Sequence, residues 1–94
     1  MTSGKATGTA SSAEMLAADI YRERVVIMLQ NAVSCAIGID EDAVADEGVI
    51  LQEIGDTVHL AGAAARAQVN IIGNTASLTY QTGDVEVSLN GYLA

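Results

Sequence analysis

Cys35 is the chain's single thiol and His59 its single imidazole, and a run of carboxylates stands between them at Asp40, Glu41, Asp42, Asp46 and Glu47. These are the residue types from which nucleophilic catalysis or a metal site is built. A Cys–His pair needs the imidazole within hydrogen-bond reach of the thiol and a third group orienting the base. Cys35 falls inside an apolar run, where a thiol packs as an inert small hydrophobe. His59 falls on the polar side of an alternating segment, and no second histidine exists to complete a zinc site. Calcium takes about six to eight oxygens, and an EF-hand loop wants a glycine at its sixth position and a glutamate at its twelfth. The acidic run has neither, so it reads as a solvated connector that keeps the chain soluble. The glycines show no phosphate-loop spacing and no G-x-G-x-x-G. The residues therefore assign no catalytic, cofactor-binding or metal-binding role, and the chain is expected not to be an enzyme.

Composition narrows the partners. Twelve acids face only Lys5, Arg22, Arg24 and Arg66, giving a formal charge of −8. Such a chain repels a phosphate backbone and an anionic membrane surface. There is no Trp and no Phe among its 94 residues, so aromatic platforms for stacked bases are scarce and the core must come from Val, Ile, Leu, Met and Ala. The length suits one domain. A single cysteine allows no intrachain disulfide, which fits a reducing compartment or a fold needing no bridge. The opening MTSGKATGTASS has no apolar h-region. The uncharged stretch 25–39 is shorter than the roughly 20 residues a spanning helix needs. Both point to the cytoplasm, or to a particle assembled there.

Three unlike parts position these residues. Residues 1–12 are a Gly/Ser/Thr/Ala tail that cannot bury apolar surface and is expected to be flexible. Residues 13–94 are expected to form one α+β domain. Ser11 and Glu14 fit a capping box, no proline follows, and the spacing predicts a long N-terminal helix over about 12–37 with Gly38 at its end. Its second half, VVIMLQNAVSCAIGI, is apolar nearly all round, which calls for cover on several sides, most simply from a second copy. From residue 49 the period shifts to two. Candidate strands are 49–54, 57–61, 64–72, 76–82 and 85–89, with glycine turns between them. The alanine-rich stretch 61–67 could instead be a helical turn. In 76–82, Ala76, Leu78 and Tyr80 oppose Thr75, Ser77, Thr79 and Gln81, as in a sheet covered on one face. The fold predicted is one long helix packed on an antiparallel meander of four to five strands.

An over-apolar helix, a weakly charged polar sheet face and an apolar C-terminus favour association over catalysis. The expected function is that of a structural or assembly protein, a self-associating subunit of a larger assembly such as a viral particle or tail. Its contacts are expected at Val26, Leu29 and Val33 on the helix, at Thr75, Ser77 and Thr79 on the sheet, and at Tyr92 and Leu93. The expected partner is a second copy or another protein. Two alternatives stand beside it. One is an acidic inhibitor or adaptor occupying a basic site on a partner. The other is a small-ligand binder anchored by Tyr80, His59 and Arg66.

Overall fold

The structure, a computed structural model, describes residues 2–84. It is not a helix on a sheet. Among the described residues, eight strands and one short helix follow in the order β1 (Thr2–Thr7), β2 (Ala13–Leu16), β3 (Arg22–Leu29), β4 (Cys35–Ile39), β5 (Val49–Leu51), β6 (Thr57–Ala61), α1 (Ala63–Arg66), β7 (Val69–Ile72) and β8 (Ser77–Asp84). The strands form two antiparallel sheets of four, ordered β1-β8-β3-β6 and β2-β7-β4-β5. Only β4 and β5 are both consecutive and paired. Every other connection crosses between sheets, which overturns the meander as well as the α+β class. Two sheets interleaved in this order are the two Greek keys of a jelly roll.

The correction centres on residues 13–39, predicted as one helix and here divided among β2, β3 and β4. Val25, Ile27 and Leu29 are fully buried while Val26 is half-buried and Met28 exposed, so the period is two. The β-branched run Val25-Val26-Ile27 suits a pleated, half-buried surface and crowds a helix. The apolar character on all sides has the same source. β3 and β4 lie in opposite sheets, and each sends side chains into the core between them. Val25, Ile27 and Leu29 from β3, Leu60 from β6 and Leu78 from β8 meet Cys35 and Ile37 from β4, Leu51 from β5, and Val69 and Ile71 from β7. No second copy is needed to cover this run. No helix forms for the expected capping pair to close: the Ser11 carbonyl accepts from Thr9 Oγ1, and a Glu14 carboxylate oxygen accepts from the Gln68 amide.

The segment read as a tail supplies an edge strand. β1 pairs with β8 from Thr2 opposite Thr82 to Thr7 opposite Ser77. Gly4 lies opposite Tyr80, and a Cβ at that position would collide with the Tyr80 ring, so the missing side chain gives the ring its room. Residues 64–72 divide into α1 and β7, and 76–82 forms most of β8 with Ala76 and Leu78 buried. The turn expected at Gly83-Asp84 is instead the end of β8. The strand expected over 85–89 lies outside the described residues.

The loops gather at two ends. At one end Gly73 N–H donates to Thr9, Gly8 N–H to Ala76, and Leu29 N–H to Asp56. At the other end Asp19 N–H donates to Arg66, and Asp40 N–H to Gln68. There Arg22 is buried, and its guanidinium donates to the carbonyls of Ala65, Ala17 and Ala67 at 2.5–3.0 Å. A planar fork of donors suits this task, because three carbonyls left by a helix of one turn and the loop beside it need partners.

Candidate functional site

Residues paired across an antiparallel sheet share a face, so the register defines the outer surface of the β1-β8-β3-β6 sheet. One row joins Lys5, Thr79, Met28 and Thr57, and the next joins Ser3, Gln81, Val26 and His59. Arg24 and Ala61 follow at one end, with Thr7 and Ser77 at the other. Val26 and Met28 sit at the centre of this face, and Met28 is 38% exposed. An open groove of about 510 Å³ lies over them, lined also by Gly4 and Tyr80. Across these rows no position carries a carboxylate. Two of the chain's four Lys and Arg residues, Lys5 and Arg24, stand here, and His59 is exposed beside them. In a chain of charge −8 these rows are locally cationic and apolar, with Glu23 exposed beside Arg24 at the β3 bulge.

The opposite side of the sandwich has the opposite character. The outer face of the β2-β7-β4-β5 sheet is covered by the connector 40–47. Gly38 lies under it, and a Cβ there would stand 2.6–2.8 Å from backbone atoms of Glu41, Asp42 and Ala43. The connector is tied down by three hydrogen bonds. Asp40 N–H donates to the Gln68 carbonyl, Ala43 N–H to Ser12 Oγ, and Asn70 Nδ2 to the Glu41 carbonyl, at 2.6–2.9 Å. Ala43 is buried beneath, while Asp40, Glu41, Asp42, Asp46 and Glu47 are exposed on the same loop as Val44, itself 49% exposed. Asp40 and Asp46 take positive φ angles of 59° and 64°, a conformation that short polar side chains tolerate better than most.

The residues that suggested chemistry are held apart. Cys35 is buried between the sheets, and burial pushes its thiol above the ordinary value of 9.0 against a smaller lowering from a hydrogen bond to Leu51. His59 points from the outer face of the other sheet. The two form no nucleophile–base pair. Among the described residues, no group of three or more His, Cys, Asp and Glu is placed to hold a metal ion. Asp56 does carry a shifted carboxyl. It accepts the Gln52 and Glu53 N–H groups, each at 2.9 Å, which holds it below the ordinary 3.8. It closes the β5–β6 turn. Among the described residues, no helix is long and apolar enough to cross a membrane.

The expected contact residues separate. Val26, Ser77 and Thr79 lie on the exposed face. Leu29 is fully buried in the core, and Val33 packs against it. Thr75 stands in the β7–β8 turn at φ 67°. Tyr92 and Leu93 lie outside the described residues. On a helix Val26, Leu29 and Val33 would share a stripe; on a strand, positions three apart face opposite ways. Sequence reasoning missed Met28, Gln81, Lys5 and Arg24 as neighbours of Val26, because their grouping depends on the pairing of β1, β3 and β8. Compared with known proteins, the chain matches no family model, no curated relative and no solved structure.

Proposed function

We propose that this protein is a non-enzymatic structural subunit that associates with copies of itself through the outer face of the β1-β8-β3-β6 sheet. One observation carries the reading: half-buried Val26 and exposed Met28 lie at the centre of the outer face of a four-stranded sheet, in paired rows that carry no carboxylate, under a groove of about 510 Å³. An apolar centre rimmed by polar side chains is the anatomy of a protein interface. Lys5, Thr79, Gln81, His59 and Arg24 form that rim. The groove is too open to enclose a small ligand, and no convergent set of titratable groups lines it, which favours association over catalysis. Jelly rolls build viral capsids and also lectins and cupins, so fold alone supports an assembly role only by analogy. Membership of a viral particle or tail is the form of that role the analogy suggests.

The acidic inhibitor reading draws on the exposed carboxylates of 40–47, which are held on a fixed loop. A basic partner would dock on the other side of the sandwich from Val26. The test is Val26→Asp, a substitution on a half-buried outward position that leaves the core untouched. Sedimentation of the folded variant should show a monomer at concentrations where the wild-type chain associates. Unchanged association of a folded Val26→Asp chain would refute the interface.

A further inference from the structure

We infer that copies associate head to tail: the acidic connector 40–47 of one copy docks on the cationic, apolar sheet face of the next. The inference rests on the self-association reading and names which surface meets that face. Three observations lead to it. The first is charge. The groove is flanked by Lys5 and Arg24, while five of the chain's twelve acids lie exposed on the connector that carries Val44. Like faces brought together would set Lys5 and Arg24 of one copy near those of another, whereas unlike faces pair opposite charges. The second is shape. Val44 is an exposed apolar residue on a loop of exposed carboxylates, and half-buried Val26 and exposed Met28 are apolar residues beside cations and amides. The apolar centres and the charged rims match together. The third is rigidity. Ser12, Asn70 and Gln68 hold the connector through hydrogen bonds, so little ordering accompanies docking.

The two surfaces lie on opposite broad sides of one sandwich, so a copy cannot satisfy both within itself. An isologous dimer would leave every acidic surface unused. A head-to-tail contact leaves one free surface of each kind at every step, and it grows into a ring or an open filament.

Two variants test this. Met28→Asp blocks the groove. The double variant Asp42→Lys/Val44→Lys blocks the connector. Circular dichroism and urea unfolding establish that each is folded, and sedimentation reads the mass. Each variant alone should be monomeric, with self-affinity at least about tenfold below wild type. An equimolar mixture should form a heterodimer of twice the monomer mass and stop there, because only one live groove and one live connector remain. If the connector variant still self-associates like wild type while Met28→Asp does not, the contact is face to face: head-to-tail docking is overturned and the interface stands. A mixture that stays monomeric while wild type associates also overturns it. A wild-type chain that is monomeric throughout removes the self-association reading and this inference together.

Discussion

Replacing Arg22 with Met should unfold the protein at much lower denaturant. The side chain is 4% exposed and donates to three carbonyls, of Ala65, Ala17 and Ala67. Hydrogen bonds from a charged donor are worth about 1.5–3 kcal/mol each, and a buried acceptor left unpaired costs about 1–3 kcal/mol. Only the bond to Ala65 is fully buried; those to Ala17 and Ala67 are partly wet, and water replaces their donor at lower cost. Counting the first in full and discounting the others gives about 3–5 kcal/mol. Removing a desolvated charge returns part of this, leaving a net loss of about 3 kcal/mol. A 94-residue domain has a stability of about 5–14 kcal/mol, so the loss is a large fraction. With a urea slope of about 1–1.5 kcal/mol/M, the midpoint should fall by about 2–3 M with the slope unchanged. Arg22→Lys should fall about half as far, since an ammonium keeps the charge but cannot bridge three carbonyls in one plane. A midpoint for Arg22→Met within about 0.3 M of wild type would refute the clamp.

Gly38→Ala places a methyl against the backbone of Glu41, Asp42 and Ala43, which cannot swing aside as a flexible side chain would; it should cost about 1–3 kcal/mol and loosen the connector, read as faster amide exchange at Ala43. Leu29→Asp should abolish folding, because Leu29 has no exposed surface, while Val26→Asp on the same strand should leave the unfolding midpoint nearly unchanged; equal effects of the two would contradict the register of β3. Asp56 has a folded value below its unfolded one, so its stabilisation is fully present above the unfolded value and fades as pH falls through 3.8 towards the folded value. Asp56→Asn should therefore flatten the acid limb of a stability–pH curve, and an unchanged limb would count against the two N–H contacts. Native Cys35 should alkylate far more slowly than the urea-unfolded chain, because burial raises its pKa and blocks access; equal rates measured by mass spectrometry would contradict its place between the sheets.

How much of this was legible in the sequence depends on the segment. In 76–82 one face is apolar and one polar, and Leu78 and Ala76 are buried as the alternation implies. His59 is exposed on the outer face with Thr57, opposite Val58 and Leu60, for the same reason. The stretch 61–67 holds the helical turn that its alanines allowed. The failure at 13–39 has a physical cause. Where both sides of a strand are apolar, as at Val25 to Leu29, the period carries little information, and β-branching is the better guide. β1 was illegible because its residues bury little by themselves. It is held by backbone pairing to β8, and by a glycine at position 4 that makes room for Tyr80. The candidate site was half visible. Val26, Ser77 and Thr79 were named, but their joining with Met28, Lys5 and Arg24 into one cationic face comes from strand order, which no local pattern encodes.

The most direct test of the central claim is the mass of the wild-type chain by light scattering with multi-angle detection, over a range of concentrations at low and high salt. The account predicts a mass that rises with concentration above the 9.6 kDa monomer and rises less steeply at high salt, where the charged rim is screened while the apolar centre persists. A mass of one chain at every concentration and both salts would contradict it.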